Sequence, residues 1–319
     1  MKLYVIFNTC GVGGRENVSG YISSINNILN QNFDGFRVCL SSCLNSPMTT
    51  KKLMETFEDR ISYNFIHELH PVNVTFNHSA LKMWDQFGEA DGILFLDSGI
   101  NFGPNPDVLK SMFELFKSGP YGMVAARTDT DTGTFLWFGE GNSYGDESGQ
   151  SKLFEKGHLE FPIGKTTNLH CQIFSKEVFL GMGKRLMPDI FASHCTESTF
   201  SFVTASVGQK FIMHKDVVVS HLVGMDGPSA GFRPEREGVV PWRHLYRSPK
   251  TIDEIIENPE AKASGFGYEE CQDILLHDPL CYENGFCKKP ERLKKFIVEN
   301  IYLPKESLDY DSISNKFIP

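Results

Sequence analysis

The sequence predicts an α/β fold with a mostly parallel central sheet and helices on both faces. Two observations support this. From the start of the chain to about Arg127, short β-branched and aromatic runs alternate with stretches of helical hydrophobic spacing, the pattern left by parallel strands joined through crossover helices. The 319 residues are 40% hydrophobic and include 26 Phe. That is enough apolar surface for one large domain, or for a domain of roughly 200–250 residues with a small appendage.

The elements follow in order. Leu3–Phe7 is an apolar run ended by Asn8, Thr9 and Gly11, and reads as a strand entering a loop. Tyr21, Ile22, Ile25, Ile28 and Leu29 recur at helical spacing. Phe36–Leu40 is the next strand, stopped by Ser41 and Ser42, and Thr49 or Thr50 caps a helix reaching about Arg60. Then come a strand at Tyr63–Ile66, a helix at Asn77–Phe87, a strand at Gly92–Leu96, a helix at Pro106–Phe116 and a strand at Met123–Ala126.

Past Arg127 the grammar changes. Thr128–Gly149 is rich in Gly, Thr and Asp around an apolar Phe135–Phe138 segment, which predicts loops and a hairpin. Leu169–Phe174 reads as a strand, Lys176–Met182 and Glu197–Val207 as helices, and Lys210–Met213 and Val217–His221 as short strands. The Gly-rich Leu222–Gly231 precedes Arg233, Arg236, Trp242, Arg243 and Arg247 and predicts a mobile loop, with short helices after Pro249. The expected division is a domain over 1–247, in halves 1–127 and 128–247, and a small helical extension over 248–319.

Forty acidic against 31 basic residues give a net charge of −9, which disfavours nucleic acid as a partner. No apolar run approaches the ~20 residues of a membrane span or forms a secretory leader, so a cytoplasmic protein without a transmembrane segment is expected. The basic stretch Lys288–Lys295 leaves peripheral contact with anionic lipid open, against a solvated helix face. The eight cysteines show no paired CxxC spacing, and a zinc site at Cys271, Cys281 and Cys287 would need a fourth ligand such as His277. Sequons at Asn17, Asn73 and Asn77 carry little meaning without a leader.

Ligands of parallel sheets sit beyond the carboxyl ends of the strands, which draws attention to Asn8, Thr9, Ser41, Ser42 and Asp97. The most informative stretch is Gly92-Ile-Leu-Phe-Leu-Asp97-Ser98-Gly99. An apolar strand ending in aspartate delivers a carboxylate to the ligand edge, where a hard divalent cation can join it to a diphosphate. The alternative is an Asp capping the turn.

The order of elements and these motifs, over about Lys2–His221, resemble the GT-A glycosyltransferases, particularly the family 2-like enzymes that use nucleotide-diphosphate sugars. The resemblance implies a GT-A-like fold with a Rossmann-like N-terminal half. Its function would be transfer of a sugar from a nucleotide-diphosphate donor to a hydroxyl of a glycan or similar acceptor, inverting and assisted by Mn²⁺ or Mg²⁺. The family's D-x-D motif corresponds to Asp97-Ser98-Gly99, with Gly in place of the second acid. Val74-Thr75-Phe76-Asn77 falls where the family has a loop-to-helix Asn near the nucleotide, the alternative being a helix N-cap. Asn8, Thr9 and Ser42 occupy the base- and ribose-binding edges.

The same resemblance implies a general base from an acidic motif opening a helix. Pro188-Asp189-Ile190-Phe191 followed by Thr196-Glu197-Ser198 has the family's separation, with Ser198 in place of the second acid; Glu197 is the candidate base and Asp189 the alternate. The family also ends a late strand with a metal- or diphosphate-binding His, which His221 matches. Arg243 and Arg247, with Arg233 and Arg236, can clamp the leaving diphosphate bidentately under a Gly-hinged lid, and Trp242 can stack on a sugar.

Three other readings compete. A dinucleotide-dependent oxidoreductase fits Gly11-Val12-Gly13-Gly14 poorly, because Glu16 stands where the fingerprint needs a third Gly. A sugar nucleotidyltransferase lacks its expected Thr-Arg and Pro-Lys pairs. A non-catalytic nucleotide-sugar or glycan-binding module is favoured by Gly99 and Ser198.

Overall fold

Leu3–Cys10 forms β1, and each of its residues is buried, which places it in the middle of a sheet. The molecule is described from a computed structural model over residues 2–11, 16–67, 72–129, 136–137, 157–161, 166–167, 170–187, 199–221, 282–283, 286–287, 290–300, 302 and 316–319. Helix α1 (Val18–Leu29) starts at Asn17, whose side chain accepts from the Gly20 N–H, and buries Tyr21, Ile25 and Ile28. After β2 (Phe36–Cys43), α2 (Pro47–Phe57) is capped by Ser46, not by Thr49 or Thr50. Pro47 pre-sets the first helical φ, and Ser46 Oγ accepts from the Thr49 N–H at 3.2 Å.

Strand β3 (Ser62–Ile66) and helix α3 (Val72–Phe87) come next. The helix already runs five residues before Asn77, so Asn77 lies inside it and is not its cap. After β4 (Gly92–Leu96) and the two-residue β5 (Ile100–Asn101) comes α4 (Val108–Lys117), then β6 (Tyr121–Asp129). The described part of 130–170 holds β7 (Leu136–Trp137), β8 (Leu159–Phe161) and β9 (Thr166–Thr167), of which β7 and β9 pair as a small antiparallel ribbon. The chain continues through β10 (Cys171–Ser175), α5 (Lys176–Gly181), α6 (Phe200–Ser206) and β11 (Lys210–His221). Strand β11 merges the two short strands predicted there, with an irregularity between Met213 and Val218.

The strand order of the main sheet, which ends on β14 (Lys316–Ile318), is β14-β3-β2-β1-β4-β10-β6-β11-β5, with β8 pairing β11 off this path. Strands β1 to β4 are parallel, β11 runs parallel to β6, and β10 is antiparallel to both β4 and β6. The fold is therefore mixed α/β with a mostly parallel sheet. The reversal at β10 was not predicted, because alternating strand and helix signals carry no direction.

Two apolar layers cover the faces. Helices α3, α5 and α6 pack over Tyr4, Ile6, Phe95 and Phe174. Helices α1, α2 and α4 pack over Leu3, Val5, Phe7 and Leu94. The stretch expected as a helical extension supplies a hairpin of β12 (Tyr282–Glu283) and β13 (Phe286–Cys287), then α7 (Pro290–Asn300) and β14 (Lys316–Ile318). Leu293 and Ile297 of α7 enter the first apolar layer, and β14 pairs antiparallel with the edge strand β3. The tail thus contributes a strand to the sheet as well as a helix, because β3 offers an otherwise open edge. Among the described residues no helix is long and apolar enough to cross a membrane.

Candidate active site

The carboxyl edge of the sheet collects most of the described residues singled out above. Asn8 pairs with Ser41 and Thr9 with Ser42 across β1 and β2, while Phe7 pairs with Leu96. Asp97 is therefore the first residue beyond the ladder, next to Asn8. Its carboxylate Oδ1 accepts from the Ser98 N–H at 2.8 Å, and its own carbonyl accepts from Ile100 N–H at 3.0 Å. This tight turn holds the carboxyl group in place and buries Ser98, while Gly99 contributes no side chain.

The polar residues of β1 and β2 behave differently from one another. Thr9 Oγ1 and Ser42 Oγ both accept from Asn45 Nδ2, at 2.6 and 2.9 Å. One amide thus clasps two hydroxyls that the sequence reading treated as free for ligand, and Asn45 itself was not singled out. Asn8 is fully buried, and neither its amide nitrogen nor its oxygen has a hydrogen-bond partner among the described residues. An amide left so costs on the order of 1–3 kcal/mol, so Asn8 has hydrogen-bonding capacity to spare beside Asp97.

Gly11 and Glu16 shape the turn after β1. A Cβ at Gly11 would collide with the Leu44 carbonyl oxygen and the Asn45 backbone. The Glu16 carboxylate accepts from the Ser46 N–H, from Ser46 Oγ at 2.7 Å and from Thr49 Oγ1, closing the start of α2. Burial opposes its charge, but the Thr49 and Ser46 hydrogen bonds prevail and hold its pKa below the ordinary carboxylate value. A carboxylate in that position belongs to α2 and leaves no dinucleotide fingerprint.

Asn77 sits buried in α3 with its amide committed to the chain near Met187. Its Nδ2 donates to the Met187 carbonyl at 2.7 Å, and its Oδ1 accepts from the Leu186 and Met187 N–H groups at 2.9 and 3.0 Å. The loop-to-helix position expected for Asn77 is corrected accordingly: it lies inside α3 and anchors the chain at Leu186 and Met187. Asn27 does similar work on the far side of Asp97, donating to the Gly103 carbonyl at 2.8 Å and accepting from Phe102 N–H at 2.9 Å.

His221 closes β11, and its backbone pairs with Ile100, three residues beyond Asp97. His170, which the sequence reading passed over, precedes β10; its carbonyl accepts from the Asp97 N–H at 3.0 Å and its Nδ1 lies 3.8 Å from Asp97 Oδ2. Because β10 runs backwards, its beginning reaches the edge where the parallel strands end. Asp189, Glu197, Arg243 and Arg247 lie outside the described residues.

The donor chemistry suits a divalent cation as far as it goes. Asp97 offers a hard oxygen and His170 an imidazole nitrogen, although the described residues contain no group of three or more His, Cys, Asp or Glu able to hold a metal. A cavity of about 600 Å³ lies at the opposite, amino edge of the sheet, lined by Lys2, Arg37, Arg60 and Phe87 among others. It contains none of these residues.

No protein-family model and no curated protein matches the chain. Among solved structures, the fold is similar to S. aureus TarS (15% identity, TM-score 0.50, covering 70% of this chain and 37% of that one). It is equally similar to residues 1–349 of TarS in complex with UDP-GlcNAc (15% identity, TM-score 0.50, covering 72% of this chain and 61% of that one). The chain matches less than two thirds of the length of either.

Proposed function

We propose that this protein is a GT-A-type glycosyltransferase that moves a sugar from a nucleotide-diphosphate donor to a hydroxyl of a glycan or similar acceptor, with inversion. The observation that carries the reading is the convergence of Asp97, Asn8, His170 and the end of β11 at the carboxyl edge of a mostly parallel sheet. That edge is where nucleotides bind in open α/β sheets. The likeness in fold to TarS, solved with UDP-GlcNAc, supports the same class of donor.

In this reading the donor lies along the ends of β1, β2 and β4. Asn8 brings an amide with unused donors and acceptors, and Asn45 keeps Thr9 and Ser42 in register at the base and ribose. Asp97, with His221, would hold Mn²⁺ or Mg²⁺, which when bound offsets the charge of the leaving diphosphate. Arg243 and Arg247 would pair with the same phosphates. Glu197 takes the proton from the acceptor hydroxyl, with Asp189 as alternate base. The domain over 1–247 would carry all of these groups, with 248–319 as the extension.

Thermal shift with UDP-, GDP-, CMP- and dTDP-sugars, with and without Mn²⁺, tests the donor class. One sugar nucleotide should raise the melting temperature and release free nucleotide on incubation with acceptor. A response to none of them counts against the reading. The absence of acids at Gly99 and Ser198 favours one other reading, a non-catalytic nucleotide-sugar or glycan-binding module, which would show the shift without the turnover.

A further inference from the structure

We propose that the cavity at the amino edge of the sheet binds a phosphate ester, with the Arg37 guanidinium as the group that receives the phosphate. The proposal is independent of the nucleotide-sugar reading, whose described residues gather at the opposite edge.

Three cations border this cavity of about 600 Å³: Lys2 ahead of β1, Arg37 at the start of β2 and Arg60 just past α2. Two of them are engaged with helix ends. Lys2 Nζ donates to the Phe87 carbonyl at the end of α3, and Arg60 Nη2 donates to the Thr56 carbonyl at 2.8 Å in the last turn of α2. A cation placed there offsets the negative end of the helix dipole. Arg37 differs. Its guanidinium lies over the Phe87 ring, 4.5 Å from the centroid, and donates no hydrogen bond to any described residue. Contact with the ring holds the guanidinium in place without using its N–H donors.

Charge calls for an anion at the same place. Lys2 and Arg37 are close enough to repel: burial, and after it the Arg37 charge, hold the Lys2 ammonium below its ordinary pKa. Asp34 and Asp59 also border the cavity, but among the described residues neither forms an ion pair with the three cations. An oxyanion seated on the Arg37 fork relieves that repulsion. A phosphate monoester, with a charge of about −1.5 to −2 at pH 7, does so better than a carboxylate.

Size and lining account for the rest of the ligand. A phosphate group fills only part of the cavity, whose volume is in the range of small-molecule sites. Phe36, Ile61 and the Phe87 ring supply apolar wall for an organic body. Arg37 is exposed, so a ligand reaches it without rearrangement of the fold.

The test is a titration of the 319-residue chain with phenyl phosphate, followed by phosphorus NMR and calorimetry. Wild type should bind saturably, and Arg37→Gln should bind about tenfold or more weakly. Arg37→Lys should recover only part of the affinity, because an ammonium lacks the fork. Asp97→Ala should bind phenyl phosphate as wild type does, which separates this cavity from the donor site. Vesicles of phosphatidylcholine with and without phosphatidic acid distinguish a lipid headgroup from a soluble ester as the source of the phosphate. The proposal is overturned if neither phenyl phosphate nor phosphatidic acid binds, or if Arg37→Gln binds as well as wild type.

Discussion

Asn77 and Met187, 110 residues apart in sequence, are joined by a 2.7 Å hydrogen bond from the Asn77 amide to the Met187 carbonyl. The same side chain receives the N–H groups of Leu186 and Met187. Asn77→Ala would leave three buried backbone groups without these partners, at ~1–3 kcal/mol for each group that finds no replacement. We expect a loss of about 3 kcal/mol or more in urea unfolding. Asn77→Asp should be comparably harmful, since a carboxylate cannot donate to the Met187 carbonyl. A stability unchanged in both variants would show that the segment is held by other means.

The irregularity in β11 predicts a pH dependence. His214 Nδ1 accepts from the Asp216 and Val217 N–H groups, each at 3.1 Å, and its ring meets that of His158 edge-on at 4.7 Å between centroids. Burial, with a smaller contribution from His158, pushes its pKa from the ordinary 6.5 down to about 4; Asp216 acts the other way and Lys215 in the same direction. Between these values the unfolded chain binds the proton and the folded chain does not. Stability should therefore fall as pH drops from 6.5 toward 4, by at most about 1.4 kcal/mol per pH unit. Urea midpoints at pH 7 and pH 4.5 measure it, and His214→Asn should flatten the slope in that window.

Glu16 gives a second, separable pH effect. Its folded pKa is depressed, so its stabilising contribution is present above the unfolded value of 4.5 and is lost as pH falls below it. Glu16→Gln weakens the hydrogen bonds at the start of α2 and should cost ~1 kcal/mol at pH 7. The gap between wild type and variant should narrow steadily as pH falls below 4.5. A difference that does not change with pH in acid would mean the carboxylate charge is immaterial.

The chemistry makes two predictions about activity. Asp97→Ala should abolish metal-dependent release of nucleotide from the donor, and EDTA should do the same to wild type; full activity in EDTA would remove the cation from the mechanism. Glu197→Gln should stop transfer, read as at least a hundredfold drop in kcat, while the donor thermal shift stays near wild type. Unchanged turnover would pass the role of base to Asp189 or another group.

Much of the frame is local and therefore legible. The runs at Leu3–Phe7 and Gly92–Leu96 bury completely, Phe36–Leu40 does so from Val38 onward, and Tyr21, Ile25 and Ile28 form the inner face of α1 as their spacing requires. Strand ends follow from the polar residues that stop them, so Asp97 and Asn8 were visible as edge residues. The start of α3 was not, because the spacing places the helix start at Asn77, whereas the helix begins at Val72 and the Asn77 amide is committed to a segment more than a hundred residues away.

By itself the sequence determined the alternation of strand and helix, the buried faces of both and the carboxylate that ends β4, since each depends on side-chain type at short spacing. Tertiary structure decided the direction of β10, and with it everything that follows from that reversal. A strand's hydrophobic pattern reads the same in either direction. Only the folded sheet, with β10 antiparallel between β4 and β6, brings His170 to the edge where Asp97 waits.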